Sequence, residues 1–224
     1  MLARYERNIP SLTLEESRLL RTKKVAVIGC GGLGGYIIEQ LARLGIGTIR
    51  IVDGDVFEES NLNRQLFSDM TVLGKPKTEV SLARIAAVNP DVQVEALHGY
   101  LEEDNAADFL RGCDAVVGAL DNIYTRRVLE KNCEELVIPY IYGAIHGWVA
   151  QVAIDMPGQK LIQKMYPEGA TFRDKSSLSF TPGLCASMQT ALCVKLLVGR
   201  PVETGTIFYF DLLNQEFETI PMLY

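Results

Sequence analysis

The chain has 224 residues, of which 48% are hydrophobic, and its formal net charge is −6. The length and composition predict one α/β domain with a sizeable core, and the negative charge argues against a general nucleic-acid binder, which needs a basic face. No apolar run reaches the roughly 18 residues of a membrane span. Residues 1–7 carry charges and lack the apolar core segment of a signal peptide. The five scattered cysteines predict reduced thiols in a cytoplasmic protein.

The first predicted elements form a nucleotide-binding unit. After a helix over Pro10–Arg21, capped by Thr13, an apolar strand at Val25–Ile28 leads into a glycine turn, and helical spacing follows over Tyr36–Leu44. Bare glycines allow a phosphate to approach the free N–H groups of a helix N-terminus. The alternative is that the glycines only permit tight helix–strand packing. The pattern G-x-G-x-x-G is formed by Gly29, Gly31 and Gly34.

A second strand, Thr48–Val52, ends in Asp53, whose carboxylate can accept hydrogen bonds from the two hydroxyls of a ribose. A loop over Gly54–Gly74 follows, and loops of this length are usually functional or carry short helices. A helix over Lys77–Val88 begins just after Pro76.

The rest of the chain changes from a parallel to an antiparallel pattern. Strands at Val92–Leu97, Ala115–Leu120 and Ile138–Tyr142, the last ending at Gly143-Ala144, alternate with helices at Glu102–Leu110 and Thr125–Leu136. Strands at Trp148–Met156, Thr206–Leu212 and Glu216–Pro221 follow, with an irregular segment, interpreted as a mobile loop, at Gly158–Ser179 and a helix at Pro182–Val198. The sequence therefore predicts a Rossmann-like α/β fold, whose doubly wound, mostly parallel sheet is continued by antiparallel strands.

Several chemically capable residues fall at the carboxyl ends of strands, where a doubly wound sheet binds its ligand. Asp53 and Asp121 each follow a strand, and the long loop with Asn61, Arg64 and Lys77 can fold over the same crevice. Hydride transfer with a bound diphosphate gives no role to the two cations and Asp121. A triphosphate carries about four negative charges, which Arg64 and Lys77 would offset while Asp121 holds Mg²⁺. The residues therefore favour ATP chemistry.

Five motifs occur in order along the chain. They are Arg4-Tyr5-Glu6-Arg7, Gly29-Cys30-Gly31-Gly32-Leu33-Gly34, Asp53-Gly54-Asp55 with Ser60-Asn61-Leu62-Asn63-Arg64-Gln65, Gly74-Lys75-Pro76-Lys77, and Leu120-Asp121-Asn122. Together they resemble the signatures of the ThiF/MoeB/HesA family, the bacterial relatives of ubiquitin-activating enzymes. Thr181-Pro182-Gly183 resembles a further segment of that family. The glycine motif alone is weak evidence, whereas the ordered set is specific.

The resemblance implies ATP-dependent adenylation of a ubiquitin-like sulfur carrier protein that ends in Gly-Gly, with release of pyrophosphate, in thiamine or molybdopterin-type cofactor biosynthesis. It implies ATP and Mg²⁺ as cofactors and a homodimer. The negative charge and the lack of a long apolar run argue against a nucleic-acid or membrane partner. The catalytic residues would be Arg64, Lys77, Asp121, which binds Mg²⁺, and Arg7, which would reach the ATP of a neighbouring subunit. The nucleotide-binding residues would be Gly29, Gly31, Gly32, Gly34, Asp53 at the ribose, Asp55, Asn61, Arg64, Lys77, Asp121 and Asn122.

Some features leave alternatives open. Many members of the family hold zinc with two C-x-x-C pairs, and this sequence has none, so zinc is not expected. Cys185 is either a reactive thiol near a helix N-terminus or a small buried apolar residue. Asp121 can also cap a helix, and Asp55 either orients its loop or lies near the phosphates. Without the resemblance, Arg7 would be a solvated terminal charge.

The resemblance also suggests a single domain over residues 1–224, with an N-terminal arm (1–22), a nucleotide-binding half (23–145) and a carrier-docking half (146–224). The first alternative function is an NAD(P)-dependent oxidoreductase. The second is a family member that activates a tRNA or a small-molecule carboxylate. The third is a scaffold that binds a carrier without catalysis.

Overall fold

The structure is a computed structural model that describes residues 3–171 and 176–222. The strands are β1 Lys24–Ile28, β2 Thr48–Asp53, β3 Gln93–His98, β4 Ala115–Gly118, β5 Tyr140–His146, β6 Val149–Asp155, β7 Thr206–Asp211 and β8 Glu216–Pro221. The α-helices are α1 Leu14–Leu20, α2 Gly32–Leu44, α3 Lys77–Val88, α4 Ala106–Leu110, α5 Ile123–Leu136, α6 Leu161–Met165 and α7 Phe180–Leu197, with 3-10 helices at Ala3–Asn8 and Glu59–Asn61.

All eight strands form one sheet in the order β3-β2-β1-β4-β5-β6-β7-β8. The first five strands pair in parallel, and β6, β7 and β8 continue the sheet by antiparallel pairing. Helices α2 and α7 pack in the core on one face, and α4 and α5 pack in the core on the other. The predicted fold class is confirmed. Within the described residues, no helix is long and apolar enough to cross a membrane.

The turn between β1 and α2 is shaped by glycine. Gly29 has a φ of +102°, and a Cβ built on it would lie 2.5 Å from the carbonyl oxygen of Ala119. A Cβ on Gly34 would lie only 1.8 Å from the carbonyl oxygen of Gly29. The chain therefore passes very close to itself in this turn. Helix α2 begins directly after it, at Gly32. The predicted start at Tyr36 was wrong, since the glycines were interpreted as loop.

Helix α1 begins at its predicted cap. The hydroxyl of Thr13 accepts a hydrogen bond from Glu16 N at 3.1 Å, and Thr13 N donates to the Glu16 carboxylate at 2.7 Å, which completes a capping box. The predicted cap is confirmed, whereas the predicted range from Pro10 was too long. Arg200 donates to the same carboxylate and ties the end of α7 to α1.

Three further element predictions need correction. Strand β5 continues through Gly143 and Ala144 to His146, because β6 pairs with it along that whole length. A helix, α6, lies inside the segment expected to be irregular, where Leu161 and Ile162 are buried. Part of that segment, residues 172–175, lies outside the described residues. Helix α4 begins at Ala106 because the preceding turn is held by the Asn105 side chain, which accepts a hydrogen bond from Glu102 N.

Candidate active site

A cavity of about 300 Å³ opens at the carboxyl ends of β1, β2 and β4. It lies where the crossovers after β1 and β4 leave in different directions, which is the usual ligand position in such sheets. Ten of the predicted site residues line it together: Gly29, Gly31, Gly32, Asp53, Asp55, Asn61, Arg64, Lys77, Asp121 and Asn122. The structure therefore brings residues from five separated motif segments into one place.

Gly34 is a predicted site residue that lies behind the cavity. Its Cα faces the carbonyl of Gly29, with no room for a side chain, so its contribution is close packing of α2 on the glycine turn. Gly32 lines the cavity instead, and a Cβ there would meet nothing closer than 3.8 Å. Gly34 therefore allows close packing, whereas Gly32 leaves its backbone uncovered by a side chain at the cavity wall.

Asp53 ties the end of β2 to the glycine turn. One carboxylate oxygen accepts a hydrogen bond from Cys30 N at 2.7 Å, and the other accepts one from Asp55 N at 2.8 Å. A carboxylate has about four lone-pair positions, so both oxygens keep acceptor capacity toward the cavity. This geometry suits a pair of neighbouring hydroxyls.

Lys77 is paired with Asp55. The ammonium lies 2.9 Å from Asp55 Oδ2, and the side chain of Lys77 is 7% exposed whereas that of Asp55 is 52% exposed. The hydroxyl of Tyr100 donates to the other oxygen of Asp55 at 2.7 Å. Partial burial raises the pKa of Asp55, but the hydrogen bonds from Lys77 and Tyr100 outweigh it and leave that pKa below its ordinary value. The buried ammonium therefore faces an ionised partner.

Arg64 is held by the loop that carries it. Its Nη1 donates to Ser60 O at 3.0 Å and to Asn63 Oδ1 at 2.8 Å. Asn63 in turn donates to Ser177 O at 3.1 Å, which connects this loop to the chain before α7. Asn61 is buried, and its side-chain oxygen accepts from Glu58 N at 3.1 Å. The loop is thus fixed by its own polar side chains while the guanidinium lines the cavity.

Asp121 and Asn122 follow β4. The cap of α5 is Asn122, whose side chain accepts from Thr125 N at 2.8 Å, so the alternative that Asp121 caps the helix was wrong by one residue. Asp121 is exposed at the cavity wall. Its carboxylate therefore points to a role other than the helix cap.

Arg7 and the cavity of its own chain lie at opposite ends of the parallel strands. It belongs to the same 3-10 helix as Tyr5, which is buried against Gly45 at the far end of α2. Helix α2 starts beside the cavity and spans 13 residues, about 20 Å. Arg7 and the remaining predicted site residues therefore lie near opposite ends of α2.

Cys185 is fully buried in α7. Its thiol lies 3.7 Å from Ala144 O and 3.6 Å from Gln151 O, and burial raises its pKa to about 12. The thiol is therefore protonated and shielded at neutral pH. Of the two alternatives for this residue, the structure supports the small buried one.

Sequence reasoning gave no role to three residues with polar side chains that line the cavity: Gln65, Tyr100 and Thr125. Gln65 is buried beside Gly31 and belongs to a motif that was recognised. Tyr100 follows the carboxyl end of β3, so the strand-end argument could have found it. Within residues 3–171 and 176–222, no group of three or more His, Cys, Asp or Glu side chains can hold a metal ion.

Comparison with known proteins gives both sequence and fold similarity. Residues 5–223 match the ThiF family. The chain is 34% identical to the SAMP-activating enzyme E1 of Haloferax volcanii, covering 98% of this chain and 85% of that protein. It is 32% identical to the sulfur carrier protein adenylyltransferase of Thermus thermophilus, covering 98% and 86%. A crystal structure of E. coli MccB with MccA-N7isoASN has the same fold, with a TM-score of 0.86 at 22% identity over 98% of this chain and 71% of that one.

Proposed function

The chain belongs to the ThiF family, and from that premise we propose that it adenylates the C-terminal glycine of a ubiquitin-like sulfur carrier protein. The carrier's terminal carboxylate oxygen attacks the α-phosphorus of ATP. The bond from that phosphorus to the bridging oxygen of the β-phosphate breaks, and pyrophosphate leaves with the electron pair. The product is an acyl-adenylate that a sulfur donor can attack, for thiamine or molybdopterin-type cofactor biosynthesis.

One observation carries the proposal: a single cavity combines a glycine turn, a carboxylate suited to a ribose, two cations and two further carboxylates. In this assignment Asp53 accepts hydrogen bonds from the ribose hydroxyls, and the backbone of Gly31 and Gly32 lies against the nucleotide. Arg64 and Lys77 stabilise the charge that grows on the departing pyrophosphate. Preorganised charges in a site sheltered from water are usually the largest catalytic contribution.

The carboxylate of Asp121 suits a magnesium ion. Mg²⁺ is usually held by one or two carboxylates together with substrate phosphates and water, and Asp121 is an exposed carboxylate in the cavity wall. When bound, the ion would neutralise phosphate charge. Asp121 would hold the ion so that the phosphates lie near Arg64 and Lys77. Asn61 and Asp55 would lie close by, and Asn122 would fix the start of α5.

The proposal includes a homodimer and a cytoplasmic location. Arg7 lies about the length of α2 away from its own cavity, so its assigned contact with ATP requires the cavity of a second copy. All five cysteines are buried free thiols, which suits a reducing compartment. The carrier would dock on the half of the chain formed by residues 146–224.

The test is carrier-dependent exchange between ATP and labelled pyrophosphate, with a panel of purified carriers that end in Gly-Gly and a truncated carrier as control. We expect exchange with one intact carrier and none with its truncated form. Arg64→Ala should lower the rate by about 10²-fold to 10³-fold. The control variant is Arg43→Ala, because Arg43 lies at the far end of α2 and pairs with Glu39.

The outcomes separate the alternatives. Exchange identifies the carrier and therefore the pathway. No exchange together with NAD(P) binding favours an oxidoreductase, and no exchange together with tRNA binding favours another acyl substrate. Carrier binding without any nucleotide binding leaves a scaffold. Equal exchange rates for Arg64→Ala and Arg43→Ala would refute the residue assignment.

A further inference from the structure

Strands β4 and β5 separate at their carboxyl ends, where the cavity opens. Their parallel ladder joins Val116 to Tyr140 and Val117 to Ile141, and β5 then continues alongside β6 to His146. Backbone carbonyls beyond that ladder still need donors, because buried unpaired polar groups are destabilising. Side chains from two helices meet this need.

The first side chain is Arg126 of α5, which is 2% exposed. Its Nη1 donates to Gly143 O of β5 at 2.8 Å, and its Nη2 donates to Leu120 O just after β4. The guanidinium carbon lies 4.9 Å from the centroid of the Tyr142 ring, a cation–π distance. Arg126 therefore bridges the two strand ends from one face of the sheet.

The second side chain is Gln189 of α7, which is fully buried on the other face. Its Nε2 donates to Gly118 O at 2.8 Å and to Ile141 O at 3.3 Å. It also requires a glycine opposite, because a Cβ on Gly143 would lie 2.2 Å from the Gln189 amide carbon. The same two strands are thus bridged twice, once from each face.

These bridges lie close to Asp121, one of the carboxylates that line the cavity. Leu120, whose carbonyl Arg126 binds, directly precedes Asp121, and the cap residue Asn122 directly follows it. A buried guanidinium and a buried amide are costly to desolvate, and apolar side chains would fill such space at lower cost. The arrangement therefore indicates that the ends of β4 and β5 must be held in one fixed geometry.

We propose that Arg126 and Gln189 are positioning residues that hold Asp121 where it can bind the magnesium complex of the nucleotide. The inference rests on the proposed use of ATP and Mg²⁺. The two side chains do not touch the nucleotide; they act through the strand end that carries Asp121. Their removal should affect the Mg²⁺-dependent part of nucleotide binding and spare the part that does not need the ion.

The test is calorimetric binding of a non-cleavable ATP analogue to the full chain, with and without Mg²⁺. In Arg126→Lys and Gln189→Met we expect the affinity gain from Mg²⁺ to fall by about 10-fold to 100-fold, as for groups that orient metal ligands. Affinity without Mg²⁺ should stay close to that of the unmodified protein. A purely structural role would instead lower the melting temperature and leave the Mg²⁺-dependent gain unchanged.

Matched controls lie on the same two helices. Asn132 of α5 is buried and donates locally, to Val128 O at 2.8 Å, and Thr190 of α7 is buried next to Gln189. Asn132→Leu and Thr190→Val should keep the full gain from Mg²⁺, whatever happens to their melting temperatures.

The inference is overturned if Arg126→Lys and Gln189→Met retain the gain, or if the controls lose it equally. If Arg126→Lys does not fold, Gln189→Met decides alone. Mg²⁺-dependent binding without pyrophosphate exchange in the unmodified protein would refute the proposed function and leave this inference intact. Binding that is independent of Mg²⁺ in the unmodified protein would overturn the inference whatever the exchange assay gives.

Discussion

Replacement of Gly34 by alanine should destabilise the protein far more than a single methyl group suggests. The new Cβ would lie 1.8 Å from Gly29 O, and Gly29 cannot retreat because its own Cα already faces Ala119 O. Alanine gains about 1 kcal/mol in helix propensity over glycine, whereas forced overpacking costs typically about 1–3 kcal/mol and sometimes more. With backbone as the clashing partner, we expect a net loss of about 2 kcal/mol, and hence a melting temperature lower by about 4–8 °C.

Gly32→Ala is the matched control, since it is two residues away in the same helix and its Cβ would have ordinary contacts. We expect unfolding within about 1 kcal/mol of the unmodified protein, but weaker binding of the ATP analogue, because the methyl group would enter the cavity. Thermal unfolding followed by circular dichroism, together with calorimetric binding, measures both effects. An unchanged melting temperature for Gly34→Ala, or a larger drop for Gly32→Ala, would refute the reasoning.

Three other predictions follow from the contacts of single side chains. Lys77→Met should lower pyrophosphate exchange by about 10²-fold to 10³-fold, and a near-normal rate would contradict its assignment. Burial, together with Glu130, raises the pKa of Asp155 from 3.8 to about 7, so the folded state binds this proton more tightly and stability is lost as pH rises across that interval. Asp155→Asn should therefore raise the melting temperature at pH 8 and leave it nearly unchanged at pH 4, and equal shifts at both would contradict this. Cys185 should resist alkylation in the native protein at pH 8, as read by mass spectrometry of its peptide; rapid native labelling would show that the thiol is accessible.

The local part of the structure could be predicted from sequence because short-range physics determines it. The β1–turn–α2 unit, the Thr13 cap and α3 all follow from periodicity, glycine and capping chemistry. Helix α6 could not be found in this way, because five residues form a helix only when tertiary contacts support them. Here the carboxylates of Asp155 and Glu130 accept hydrogen bonds from its first N–H groups.

The site was only partly accessible to the same reasoning. Strand ends and motifs predicted which residues approach the cavity, since topology alone brings them together. The pairing of Lys77 with Asp55 depends on the path of the 21 residues between them in the sequence. The bridges from Arg126 and Gln189 depend on how far β4 and β5 diverge, which no periodicity encodes.

The pairing of Lys77 has a consequence for which anions the cavity admits. Its described lining carries three carboxylates, Asp53, Asp55 and Asp121, against two cations, Arg64 and Lys77, a formal charge of −1. A phosphate that binds Lys77 would share the ammonium with Asp55, which already offsets its charge. Under the proposed function, a nucleotide that brings a divalent cation would reduce this competition, because the cation would attract the carboxylates of Asp55 and Asp121. Under the proposed function, the carboxylates would therefore favour a cation-bound nucleotide over free phosphate.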